Sequence, residues 1–172
     1  MANKQVFPTK GNLIATKKSL ELATLGYDLM DKKRNILIRE MMQQVESVKM
    51  LRDKITDTYA EAYLALQEAN MSLGLIDDIV EEIPIDTGID VTYRSVMGVE
   101  IPTISYEKPS EKLVYGLDRA NSKLDYAYRC FAKVKEITVV LAEVENSVYR
   151  LANAIRKSQK RANALKNIVI PD

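Results

Sequence analysis

Residues 113–169 read LVYGLDRANSKLDYAYRCFAKVKEITVVLAEVENSVYRLANAIRKSQKRANALKNIV. Within them Leu113, Ala120, Ala127, Val134, Leu141, Val148, Ile155, Ala162 and Val169 recur every seven residues without a slip. Companion positions follow as Leu117, Leu124 and Phe131, then Ile137, Val144, Leu151, Ser158 and Leu165, with a one-residue shift near Val134. Two small or apolar positions in each seven form one stripe along a helix, the seam of a left-handed supercoil. Pro109 followed by Ser110-Glu111 predicts the start of this helix, and Pro171 its stop or kink.

A second stripe lies upstream. From Asn12 to Val80 there is no proline, and the glycines are Gly26 and Gly74. Leu13, Thr16, Leu20, Ala23, Tyr27, Met30, Arg34, Leu37, Met41, Val45, Val48, Leu51, Ile55, Tyr59, Ala62, Leu66, Ala69 and Leu73 follow at three- and four-residue steps. Local breaks in the strict heptad predict a supercoil that varies along its length. Thr9 and Asn12 are the candidate caps before the first turn. Gly26 costs about 1 kcal/mol relative to alanine inside a helix. It is either a tolerated cost or a point of close backbone approach.

Between the arms the period changes. Residues 83–106 contain Pro84, Gly88, Gly98 and Pro102, with Val91-Thr92-Tyr93-Arg94-Ser95-Val96 and Val99-Glu100-Ile101 on either side of Met97-Gly98. Alternation around a turn in which glycine supplies positive φ predicts a β-hairpin. A lone hairpin is marginal in water, so it should lean on the helices or on a partner. Arms of 60–70 residues would be roughly 90–105 Å long. Each must bury its stripe, and burying them against each other is the economical solution.

The expectation is therefore an all-α fold: a long antiparallel two-helix coiled coil with a short β-hairpin insertion at the bend. Residues 1–172 form a single elongated domain, with a helical arm at 12–80, bend and hairpin at 83–106, and a second arm at 109–169. Val169 should fall near Ser19, which leaves the first helical turns uncovered within the chain. Either chain beyond Asp172 or another protein should cover them.

Composition agrees. The 172 residues include 6 Gly, 5 Pro, 2 Phe and no Trp, so turns and aromatic core are scarce. The net charge of +1 hides an asymmetry. Residues 1–60 carry eleven basic and seven acidic side chains, residues 61–110 two and ten, and residues 111–172 twelve and seven. A chain folded back on itself then has a basic end and an acidic end.

The same composition excludes chemistry. Without histidine there is no Ser-His or Cys-His pair and no histidine-bound zinc, and the single Cys130 cannot make an internal disulfide or a thiolate cage. No apolar run is long enough to span a membrane, and the N-terminus has no apolar signal core, so a soluble, cytoplasmic protein is expected. Lys10-Gly11 lacks the rest of a phosphate loop. Asp77-Asp78 and Glu81-Glu82 could hold a cation, but a solvated helix end explains them better. No catalytic residue, cofactor or metal is expected. Arg150, Arg156, Lys157, Lys160, Arg161 and Lys166, with Lys10, Lys17 and Lys18, form a basic tip. It lacks the stacking aromatics of a single-strand nucleic-acid site, which favours protein docking.

Particular residues then become informative. Pro8-Thr9-Lys10, Leu13, Lys17-Lys18-Ser19-Leu20 and the run from Ala23-Thr24-Leu25-Gly26-Tyr27 through Asp31-Lys32-Lys33-Arg34 resemble the N-terminal signature of the D subunit of V-type and archaeal-type ATPases. Leu141-Ala142-Glu143-Val144-Glu145 and Arg161-Ala162-Asn163-Ala164-Leu165 through Ile170-Pro171 resemble that family's C-terminal arm. The resemblance runs from about Pro8 to Pro171. It implies a non-catalytic central rotor shaft, a peripheral part of a membrane-bound ATPase that couples ATP hydrolysis or synthesis to ion translocation. The implied partners are the hexamer of A and B subunits, the F subunit on the side of the shaft, and the adaptor on the membrane ring. It also implies chain continuing past Ile170-Pro171, where an uncovered stripe needs a partner.

On that reading Lys10, Lys17, Lys18, Arg156, Lys157, Lys160 and Arg161 are the candidate hexamer contacts. Tyr93, Val96, Ile101 and Ile104 are the candidate contacts for the F subunit. The competing classes are a prefoldin-like chaperone and a plain coiled-coil tether. A prefoldin-like chaperone would need hexamerising strands and apolar tips.

Overall fold

A computed structural model describes residues 7–108, 114–116 and 120–171. The first helix, α1 (Lys10–Leu73), has 64 residues and is about 95 Å long. Thr9 caps it in extended conformation, its Oγ1 accepting from the Asn12 backbone N–H at 3.3 Å. The Asn12 side chain in turn donates to the Phe7 carbonyl. The helix ends earlier than the expected residue 80. Gly74 takes φ +82° while its N–H closes on the Asn70 carbonyl, which turns the chain out of the helical path. A five-residue helix, α2 (Asp77–Glu81), follows across the end of the molecule.

The second long helix, α3 (Ser122–Ala164), has 43 residues and is much the shorter. Asn121 caps it, with Oδ1 accepting from the Leu124 N–H at 2.9 Å. The expected start at 109–111 lies outside the described residues, but Val114–Gly116, Ala120 and Asn121 are not helical, so α3 begins a dozen residues late. After Ala164 the helix widens into a π-turn, Leu165–Val169, closed by the Ile170 N–H on the Leu165 carbonyl.

The long helices run antiparallel. Arg34 donates to Gln159, Tyr59 shares a hydrogen bond with Thr138, and Asn121 donates to Ser72. At the upper end Lys166 lies over the Tyr27 ring. The register is thus about one turn from that expected, with Leu165 rather than Ala162 near Gly26. From Ala23 onward every stripe residue of α1 is buried or half-buried, while Leu13, Thr16 and Leu20 are exposed. The surface of 13113 Å² compares with about 8,500 Å² for a compact 19.5 kDa monomer.

The hairpin joins β1 (Ile89–Val96) to β2 (Val99–Tyr106) in antiparallel register from Val96↔Val99 to Ile89↔Tyr106. Met97 (φ +51°) and Gly98 (φ +75°) form a two-residue turn of type I′, whose twist matches the strands. The strands extend further than the sequence pattern shows. The hairpin follows the bend in sequence but does not sit there in space. It folds back along the shaft, its base level with Lys135 and its tip near Arg150 and Lys157.

Three buried clusters follow one another along the axis. Ile76, Tyr115 and Leu124 close the bend. Ala62, Ala65 and Ala69 meet Ala127, Cys130 and Val134 in the next stretch. Higher still, Leu37 and Leu151 enclose Ile101 of β2.

Candidate functional site

The features able to engage other molecules are the seated hairpin and the uncovered upper end. The hairpin's seat comes from a second face of α3. Glu136, Val139, Glu143, Ser147, Arg150 and Ala154 recur at three- and four-residue steps beside the heptad stripe. Ser147 is 1% exposed, its hydroxyl satisfied by the Glu143 carbonyl, so the small side chain leaves room for the approach of β2. Glu143 accepts the Ile104 backbone N–H at 3.0 Å, and Arg150 donates to the Glu100 carbonyl at 3.3 Å. The Arg150 guanidinium also lies 5.3 Å from the Tyr93 ring centroid. Lys108 pairs with Glu136 at the hairpin base, and Arg94 with Glu40 on α1.

A polar latch fixes the base. Asp86 accepts from the Gly88 N–H at 2.9 Å, the Tyr106 hydroxyl at 2.7 Å and the Lys135 ammonium at 3.0 Å. Those donors, the Gly88 N–H foremost, hold the carboxyl down at about 2, well below its usual range. Burial, reinforced by Asp86, pushes the Tyr106 phenol up. Lower on the shaft, Glu61 accepts from Tyr126 at 2.6 Å and pushes that phenol up to about 12.

The four residues expected to meet the F subunit are divided. Tyr93 is 57% exposed, whereas Ile101 is 1% exposed between Leu37 and Leu151. Val96 is half-buried in the same cluster, and Ile104 is half-buried beside Glu143. The support that an isolated hairpin requires is supplied from inside the chain. Its exposed apolar surface is Ile89, Val91, Tyr93 and Met97.

The basic residues are divided as well. Lys10, Lys17 and Lys18 stand exposed on turns of α1 that α3 does not reach. Arg156, Lys157, Lys160 and Arg161 are exposed on α3, level with residues near Arg34 and roughly 25–35 Å lower on the shaft. Lys157 and Arg161 join Lys33 and Arg150 around a groove of about 480 Å³ at the hairpin tip. The seven candidates therefore form two groups on one end. The acidic end keeps Asp77, Asp78, Glu81 and Glu82, and Glu82 accepts from the Gly116 N–H. Asp86 and Asp90 travel up the shaft with the hairpin.

Sequence reasoning missed Asp86, Lys135, Glu143 and Ser147. The available signal was the second three-and-four row on α3, which its charged members disguise as a solvated face. Cys130 is buried in the alanine cluster, with Glu61 3.9 Å from its Sγ. Among the described residues no group of three or more His, Cys, Asp or Glu could hold a metal ion. Among the same residues no helix is long and apolar enough to cross a membrane.

Comparison with known proteins assigns this architecture. Residues 12–172 match the family described as the ATP synthase D subunit. The V-type ATP synthase D subunit of Thermotoga neapolitana is 42% identical over 168 residues, covering 96% of this chain and 83% of the relative. The A-type ATP synthase D subunit of Methanopyrus kandleri is 34% identical over 174 residues, 98% of this chain and 74% of the relative. That of Pyrococcus furiosus is 34% identical over 175 residues, 97% and 80% respectively. Matches of this extent take in both long helices and the hairpin between them, beyond what a shared heptad pattern would produce. The chain belongs to the ATP synthase D-subunit family.

Proposed function

We propose that the chain is the central-stalk rotor shaft of a V/A-type rotary ATPase, carrying torque between a catalytic hexamer and an ion-translocating membrane ring. The observation that carries this reading is the near full-length match to the D-subunit family, on a molecule built as a long antiparallel helical pair. In the assembly the two helices wind as a coiled coil, the whole chain acts as one elongated domain, and no chemistry occurs on it. It works on the cytoplasmic side, peripheral to the membrane, without cofactor or metal.

The physical role is differential contact. A shaft whose sides differ presents each catalytic interface with a different surface, and rotation changes which interface is favoured. Here one side carries the hairpin and the other does not. The upper end, with Lys10, Lys17 and Lys18 above and Arg156, Lys157, Lys160 and Arg161 below, enters the A/B hexamer. The F subunit docks on the exposed hairpin surface around Tyr93, and the bend with its acidic α2 faces the ring adaptor. A prefoldin-like role is less well supported, because the hairpin is folded onto its own shaft. Reconstitution with A, B and F subunits tests the proposal. The expected result is one copy of this chain per hexamer and ATPase activity that depends on it. A hexamer that excludes the chain, or a homo-oligomeric chaperone assembly, would refute it.

A further inference from the structure

The hairpin's two edges are treated differently. The two-residue turn makes Val96 and Val99 a hydrogen-bonded pair, and such pairs alternate along an antiparallel ladder. On β2 the backbone groups of Glu100, Pro102 and Ile104 therefore point away from β1. That edge is engaged by α3: Arg150 caps the Glu100 carbonyl, Pro102 has no N–H to satisfy, and Glu143 caps the Ile104 N–H.

On β1 the outward groups belong to Ile89, Val91, Tyr93 and Ser95. All four residues are exposed, and no backbone hydrogen bond to them from outside the hairpin occurs among the described residues. The strand has no proline, lysine or bulge to protect the edge, and of its two charged residues Arg94 is turned to Glu40 on α1. Its side chains sort by face. Ile89, Val91 and Tyr93 are apolar on one side, while Asp90, Thr92 and Arg94 are polar on the other.

We infer that the open edge of β1 receives an extended strand from a partner subunit, extending the hairpin to three strands. The occupant is an amphipathic strand. Its apolar residues lie beside Ile89, Val91 and Tyr93, and it carries a basic residue opposite Asp90. A second copy of β1 fits less well. Antiparallel self-pairing about Thr92 would set Asp90 against Arg94, but Arg94 is already held by Glu40. Asp90 has no side-chain partner among the described residues, so it calls for a cation from elsewhere. The inference rests on the stalk reading for the source of the partner, not for the edge itself.

Hydrogen exchange on the complex reconstituted with A, B and F subunits tests it against the isolated chain. In isolation the amides of Val91, Tyr93 and Ser95 exchange fast while those of Thr92 and Arg94, inside the ladder, are slower. On assembly the three outward amides slow by about fivefold or more, the worth of one net hydrogen bond. Val91→Pro, which removes an outward N–H without touching the ladder, weakens partner binding by a similar factor relative to Val91→Thr, which keeps it. A complex that forms with these amides unprotected overturns the inference and leaves the stalk reading standing. Protection that appears in the isolated chain with rising concentration overturns it in favour of a second copy. If the chain joins no complex, the stalk reading and this inference both fall.

Discussion

The lower and upper halves of the shaft are built on different packing logic. Below, α1 and α3 touch directly through Ala62, Ala65 and Ala69 against Ala127, Cys130 and Val134. Small side chains let the two helices approach closely, with Tyr59 and Phe131 shielding the flanks. Above, the core is made by three elements, because Leu37 and Leu151 close around Ile101 of β2. The lower half resists change by having no spare volume, and the upper half by holding a separate element in place. The difference teaches where the molecule can be asymmetric. A bare helical pair looks much alike from all sides, whereas a pair carrying a hairpin on one flank does not.

The largest predicted effect falls on the upper core. Leu151 is fully buried, and Leu151→Ala should cost about 3 kcal/mol, seen in urea unfolding, with loss of amide protection across β2. A loss below about 1 kcal/mol would mean that the hairpin is not integral to this core. In the lower half the informative change is enlargement. Ala62→Leu has no room and should cost about 2 kcal/mol in the same assay, while the hairpin amides stay protected.

Smaller effects refine the comparison at its two margins. A Cβ on Gly26 would meet Leu165 Cδ1 at 3.7 Å, an ordinary contact, so no close backbone approach requires glycine there. Gly26→Ala should raise stability by about 1 kcal/mol, read as a higher urea midpoint. The smallest effect appears only in acid. Asp86 falls from 3.8 to about 2 on folding, so its stabilising contribution is complete above pH 4 and fades as pH falls toward 2. Thermal melts of Asp86→Asn should lose less stability across that interval than those of the parent chain. Equal losses would show that the latch does not hold the hairpin base.

The sequence made the axial logic legible and left the lateral logic hidden. The α1 stripe from Ala23 to Leu73 and the heptads of α3 identified which faces meet, because apolar periodicity reports burial directly. Met97-Gly98 located the turn for an equally local reason, its need for positive φ. The hairpin's seat could not be read in the same way. Glu136, Glu143 and Arg150 look like a solvated face, and only the hairpin and Lys108 at its base, distant in sequence, give them partners. The late start of α3 was missed because heptad spacing runs on through Leu113 and Ala120, ahead of the cap at Asn121. The early end of α1 was missed because a glycine inside a periodic run can be tolerated or can terminate it, and Gly74 does the second. For the candidate site, sequence singled out residues by charge and type as expectations only. It could not tell that Ile101 faces inward and Tyr93 outward.

The central claim is that this chain turns as an axle. It is tested most directly by single-molecule observation of a probe fixed to the bend end of the chain in a surface-anchored complex with A, B and F subunits. The account predicts unidirectional rotation driven by ATP, in steps set by the three catalytic interfaces. A probe that stays still while the same complexes hydrolyse ATP would contradict it.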